Sequence, residues 1–485
     1  MRSLSSGQRN IEPDEIKYSD MDEDIAEYAL KTAQKAADWA EIRLLSSREN
    51  SILWKNGSLE NVSFYDQDGL SIRILINGAM GFTSTNILTK KTVKAMVAKA
   101  IKMAKAQDKK KALRLSKEKI YTTKWVVRPK KDFPGLSEKI SLLHTIDDAL
   151  TDINTVQACF YQIEDSIQKK LYLNSEGAHI SSVVPSLSFF YLLSIGSNTE
   201  SQQITRQFGN TGGWESIHDW QIAEKLRHDA TVLNDLITKG QKPPRGCIDF
   251  VLGPSITGLI AHESCGHPFE ADRINGRESA QAGKSFITPD MLGHRLGTPV
   301  VTIIDDPTIP KSYGHYQYDD EGIKATKRLL IKEGIINTFL HNRETGYLMG
   351  GHSNASSRAS SFDSEPIVRM SNTYMAGGDY SLEELCEDIH LGIYMASYME
   401  WNIDDTRYNQ KYVGSESYLI QNGQIGPLVR QPTLEITTPG LYHAIDAVGK
   451  EIDFFAATCG KGDPMQGIPV WTGGPAIRLR NIRIT

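Results

Sequence analysis

The chain has 485 residues, of which 40% are hydrophobic and 23% charged, with a formal net charge of -5. That length asks for two or more domains with sizeable cores, and the charge offers no bulk attraction to nucleic acid. No apolar run approaches the roughly 18 residues of a membrane span and the start lacks a signal-peptide core; five scattered cysteines (Cys159, Cys247, Cys265, Cys386, Cys459) argue for a reducing compartment over a disulfide framework, so a cytoplasmic protein is expected.

Residues 1–20 are polar and unpatterned and read as a disordered leader. From Asp22 to Ala37, Ile25, Ala29, Ala33 and Ala36 recur at helical spacing. Strands follow: Ala40, Ile42 and Leu44 alternate, Asn56-Gly57 marks a tight hairpin, and Leu70, Ile72, Ile74 and Ile76 alternate up to a second turn at Asn77-Gly78. A helix is predicted from about Leu88, with Val93, Met96, Val97, Ala100, Ile101 and Ala104 on one face. The runs Lys109-Lys110-Lys111 and Lys130-Lys131 read as a solvated connector. A helix over 137–150, strands over 153–210 and an amphipathic helix from His218 to Thr238 complete the first half.

Lys239 to Gly246, rich in Gly, Pro and Lys, is the best domain boundary. It divides the chain into an N-terminal α+β domain (21–240) with an antiparallel sheet and a C-terminal domain (241–485). The C-terminal domain reads as largely antiparallel β and open-barrel-like. It carries a short motif helix after the strand Cys247 to Leu252, with further helices only near 322–331 and 381–398. Asp305-Asp306-Pro307 and Trp471-Thr472-Gly473-Gly474-Pro475 read as turns, Asp319-Asp320-Glu321-Gly322 as an acidic helix cap and Asn354 to Arg358 as a surface loop.

The motif helix carries His262-Glu263-Ser264-Cys265-Gly266-His267. Two imidazoles and a carboxylate are the material of a zinc hydrolase: imidazole nitrogens bind Zn²⁺, and a nearby carboxylate deprotonates a water on the metal. The spacing is HExxxH, one residue longer than HExxH. On a regular helix, histidines five apart lie about 140° apart, against about 40° for four. The helix must therefore end or distort before His267, with Gly266 and Pro268 available to stop it. A catalytic zinc needs a third protein ligand. Cys265, Glu270 and Cys459 are candidates, and spacing does not choose among them.

The chain resembles the TldD/PmbA metallopeptidases, on the metal-bearing TldD side. The resemblance rests on Asn56-Gly57 with Leu59 to Ser63, Gly78 to Asn86, the histidine motif, Val301 to Asp306, Asp319 to Gly322, Met370 to Met375 and Cys459-Gly460-Lys461. It implies a two-domain α+β protein with a zinc site of His262, His267 and Cys459, and with Glu263 as general base. Cys265 would be left to packing. It further implies hydrolysis of unfolded or extended peptides, with a homodimer or a heterodimer with a TldE/PmbA-like paralogue as the assembly. The alternative from another class is a non-catalytic peptide-binding or regulatory subunit of such a complex, and a third is a non-peptidase zinc hydrolase. No residue of the sequence marks the substrate-binding groups or the oxyanion donor.

Overall fold

A computed structural model describes residues 22–107, 112–196, 200–278 and 283–484; the leader and the Lys109–Lys111 run lie outside the described residues. The molecule is α+β. Five long strands (Trp39–Lys55, Ser58–Ile76, Val156–Asn174, His179–Gly196 and Ser201–Thr211) and two short ones (Ala79–Thr85 and Thr122–Val126) form a seven-stranded sheet. Its pairs are antiparallel except that Thr122–Val126 runs parallel to His179–Gly196. The two expected tight turns are present. Asn56 and Gly57 have φ of 48° and 80°, and Asn77 and Gly78 have 50° and 79°, the left-handed pair that matches the twist of the flanking strands.

Alternation gives this sheet two unlike faces. Ala40, Ile42, Leu44, Leu70, Ile72 and Ile74 point to the helices Glu23–Ala33 and Lys90–Ala106 and form one core with them. Gly81 lets the second helix lie against the sheet, since a Cβ there would sit 2.0 Å from the carbonyl oxygen of Ala100. Glu41, Arg43 and Arg73 are buried on the opposite face, which rests on the second half of the chain. Arg73 bridges Glu41 (2.8 Å) and Glu321 (2.6 Å), Lys170 meets Asp320 at 2.5 Å, and Arg343 reaches Glu176 at 2.5 Å.

The second half holds two six-stranded sheets. One runs Ile335–Ile336, Arg328–Lys332, Ile303–Asp305, Asn372–Met375, Gln466–Gly474, Asp453–Lys461. The other runs Gln424–Leu428, Ser417–Gln421, Leu391–Met395, Gly246–Leu252, Ile477–Ile484, Ile445–Val448. Most pairs are antiparallel, with one parallel pair in each, and among the described residues the sheets do not close into a barrel. Three-stranded and two-stranded ribbons complete the set. A large apolar core, including Phe250, Ile260, Phe269, Leu330, Met370 and Val470, fills the space between them. Among the described residues, no helix is long and apolar enough to cross a membrane.

Several expectations need correction. The segment 322–331 is a turn leading into the strand Arg328–Lys332. Asp319 accepts from the backbone N–H groups of Glu321 (3.0 Å) and Ile323 (2.8 Å), a local arrangement that competes with helix. The acidic run is thus a buried ion-pairing corner. Of 381–398, only Leu382–Cys386 is helical before the strand Leu391–Met395. Helices at Arg343–Leu348 and Thr438–Ala444 were not anticipated, and Trp471 to Gly474 lie inside a strand. The helix expected from His218 is broken at Gln221, whose φ is 48°, and resumes as Ile222–Lys239.

Candidate metal centre

Gly253 and Pro254 start the motif helix, Pro254 at a position where a missing N–H costs nothing. The α-helix runs Pro254–Ile260 and then widens into a π-helical turn, Ala261–Gly266. The backbone N–H of His267 donates to the carbonyl of His262 at 3.0 Å. This i→i+5 pattern is the distortion that the histidine spacing demands, because it stacks residues five apart on one face. Gly266 does not stop the helix. A Cβ there would lie 1.8 Å from the sulfur of Met370, so its role is close packing. Gly258 lets the helix approach the sheet, a Cβ there falling 2.7 Å from the backbone nitrogen of Gly473.

The edge strand Asp453–Lys461 delivers Cys459 to this face. The ligand atoms of His262, His267 and Cys459 all lie within 4.8 Å of one another, and all three residues are buried. Cys459 Sγ is 3.5 Å from His267 Nε2, and the two imidazoles stand edge to face at 4.9 Å. Burial pushes the Cys459 thiol up, but His267, His262 and Arg369 hold it well below the ordinary thiol range. Burial lowers His262, yet the Cys459 sulfur, then Glu263 and Glu270, leave it raised. His262 Nδ1 is buried with no hydrogen-bond partner. A thiolate, two imidazoles and an orphaned ring nitrogen, brought together out of water, fit a divalent metal of the zinc type. Among the described residues this is the one such cluster.

Behind the cluster lies a network absent from the sequence reading. Glu270, weighed above as a ligand, instead bonds His267 Nδ1 at 3.1 Å and accepts from Arg273 Nε at 2.6 Å, leaving His267 Nε2 to face Cys459. Lys461 Nζ lies 3.3 Å from Glu270 and donates to both Asp272 oxygens at 2.7 and 2.8 Å. Burial raises Glu270, but Lys461, His267 and Arg273 together hold its carboxyl well below the usual range. A carboxylate behind a ligand imidazole fixes its tautomer and raises its basicity. Lys461 had one legible signal, its position two residues beyond Cys459 on the same strand face. Cys265, the other candidate ligand, is part of the apolar core, where burial pushes its thiol well up.

Glu263 is buried one residue from His262, and Arg407 Nη1 donates to its Oε2 at 2.6 Å. Arg407 has φ of 66° and its carbonyl accepts from Thr438 Oγ1 at 2.7 Å, so an unusual backbone conformation is tied down at the carboxylate. The neighbouring Ser264 donates to Gln410 Oε1 at 2.5 Å. No sequence pattern signals Arg407, which comes from a ribbon 144 residues away.

Three family descriptions match the chain: PmbA/TldA metallopeptidase domain 1 over residues 40–104, the central domain over 130–233 and the C-terminal domain over 245–485. The chain belongs to the TldD/PmbA family of metallopeptidases. It is 32% identical to a metalloprotease of Methanothermobacter thermautotrophicus, over 96% of this chain and 99% of that one. A zinc metalloprotease TldD homolog of Saccharolobus solfataricus is 25% identical over 94% of this chain and 98% of its own. TldE from Thermococcus kodakarensis shares the fold with a TM-score of 0.73 at 17% identity, covering 95% of this chain and all of that one.

Proposed function

We propose that this chain is a zinc peptidase of the TldD type that hydrolyses peptide bonds in unfolded or extended chains. The observation that carries the reading is the buried His262, His267 and Cys459 triad with a carboxylate one residue from the first ligand, Glu263, held by Arg407. Zn²⁺ bound by the three residues would supply Lewis-acid polarisation of the scissile carbonyl and acidify a water. Glu263 takes that water's proton and passes it to the leaving amine. Its Oε2 is engaged by Arg407, which leaves Oε1 for the water.

The strand Asp453–Lys461 is the edge of its sheet, with Cys459 near one end. An extended substrate added along that edge is held by its backbone, which requires no particular sequence. We place the enzyme in the cytoplasm as a dimer, either of two copies or with a TldE/PmbA-like paralogue. The sharing of a fold with a protein named TldE supports the second.

The test is digestion of an unstructured peptide by metal-loaded wild type and by Glu263→Gln, each with and without chelator. Glu263→Gln should keep one zinc per chain and lose roughly 10² to 10⁴ of the cleavage rate. Near wild-type cleavage by that variant would defeat the proposed role of Glu263, and cleavage indifferent to chelator would defeat the metal.

A further inference from the structure

A cavity of about 590 Å³ lies between the edge strand Asp453–Lys461 and the facing strand Ser201–Thr211; His262, Glu263, His267 and Cys459 are not in its lining. Both elements that carry metal ligands run into it. Leu259 and Ser255 line it and lie three and seven residues before His262, on the helix face that His262 shares. Ala457 and Phe455 also line it. They precede Cys459 by two and four residues on the same strand face, about 7 and 13 Å along the strand. Tyr398, on a third wall, has a phenol raised first by burial and then by the charge of Glu263.

The remaining walls combine aromatic rings with polar side chains, among them Thr205, Gln207, Asn210, Ser397 and Thr472. Phe208 and Trp220 stack at 5.7 Å, and Phe454 and Trp471 stack at 5.2 Å. Trp471 is pinned by its indole N–H, which donates to the Gly209 carbonyl at 2.7 Å. The charged groups present leave one carboxylate in excess. Arg206 is held by Asp229 at 2.6 and 2.5 Å, Lys225 Nζ lies 5.2 Å from the Phe208 ring centroid, and Asp219 and Asp453 oppose it in sign. A pocket in which half-buried rings stand among polar groups, with Arg206 matched by Asp229 and Lys225 outnumbered by Asp219 and Asp453, disfavours an acidic group and offers stacking contact to a flat apolar one.

We propose that this cavity is the side-chain subsite of the peptidase, and that it takes an aromatic side chain of the substrate two to four residues from the scissile bond. The spacing follows from the strand itself, since an extended peptide lying along Asp453–Lys461 advances at the same rise per residue. The inference rests on the peptidase reading above and adds to it a preferred substrate.

The experiment uses a short unstructured peptide of alanine, serine and glycine bearing a single phenylalanine, and the same peptide with alanine in its place. Binding of both is measured to zinc-loaded Glu263→Gln, and cleavage of both by wild type. The phenylalanine peptide should bind about tenfold more tightly, the worth of a good ring–ring contact, and its cut should fall two to four residues from the ring. Phe455→Ala, introduced into Glu263→Gln, should bring the two affinities close together. Phe208→Ala on the opposite wall should do the same, so that one misfolded variant does not decide the matter. Equal affinities for Glu263→Gln would overturn the subsite, while cleavage of both peptides by wild type would leave the peptidase reading standing. A tenfold preference in binding with cleavage of neither would keep the subsite and overturn the peptidase reading.

Discussion

Replacing Glu270 by alanine should damage the metal centre without touching a ligand. The carboxylate is fully buried and engages three groups at once: His267 Nδ1 at 3.1 Å, Arg273 Nε at 2.6 Å and Lys461 Nζ at 3.3 Å. Removing one partner of a buried ion pair costs about 3–5 kcal/mol. Lys461 keeps Asp272 at 2.7 Å and the Val368 carbonyl at 2.7 Å, so the expected loss of fold stability is at the lower end, about 3 kcal/mol. The loss at the metal is separate. Without its acceptor, His267 can turn or change tautomer, and loss of such a partner weakens metal binding roughly 10- to 100-fold, about 1.4–2.8 kcal/mol. Glu270→Gln should fall between, because its amide oxygen can still accept from His267 while its NH₂ faces cations. Zinc affinity is read by competition with a chelator of known strength, and stability by urea unfolding of the metal-free protein. Wild-type zinc affinity in Glu270→Ala, measured on protein shown to be folded, would refute the claim that this carboxylate orients His267.

Three further outcomes are expected. Cys459→Ala should lose most of its zinc by elemental analysis while Cys265→Ala keeps it, because only the first thiol faces the two imidazoles; equal zinc in both would remove Cys459 from the ligand set. Burial lowers His341 from 6.5 to about 4, so the unfolded chain binds a proton there that the folded one refuses. The stability it contributes is present above pH 6.5 and is lost as pH falls towards 4, by up to about 3 kcal/mol. Glu344, raised from 4.5 to about 7 by burial, works in the opposite direction over an overlapping window, with stability falling as pH rises. The readout is therefore the difference between wild type and His341→Gln, which should lose less stability on acidification; parallel curves would refute the assignment. Finally, a small protein offered folded and unfolded should be cut only when unfolded, because threading a strand along the sheet edge requires local opening that costs several kcal/mol. Comparable rates on both would exclude a cleft that admits extended chains alone.

The parts of this molecule that were legible in the sequence are those fixed by near neighbours. Asn56-Gly57 and Asn77-Gly78 can take left-handed backbone, so the hairpins follow from the dipeptides themselves. Strict alternation at Leu70, Ile72 and Ile74 dictated which face meets the helices. The five-residue separation of His262 and His267 required a distorted helix, and the π turn Ala261–Gly266 supplies it. The misread segments are those where distant partners override local preference. Residues 322–331 have the composition of a helix, but the carboxylates before them are claimed by local backbone N–H groups, by Arg73 and by Lys170. The end of a strand passed for a turn at Gly473 and Gly474, although close approach of Phe454 and of Thr257 on the motif helix is what excludes side chains there. Composition and spacing alone left Cys265, Glu270 and Cys459 open as third ligand, and the family resemblance favoured Cys459. The tertiary structure sets Cys265 in the core, Glu270 behind His267 and Cys459 beside both imidazoles, 192 residues along the chain from His267. Arg407 at Glu263 had no voice in the sequence, and Lys461 only its place two residues after Cys459, for the same reason: a charge is legible locally, but the charge it answers is chosen only when the sheets stack.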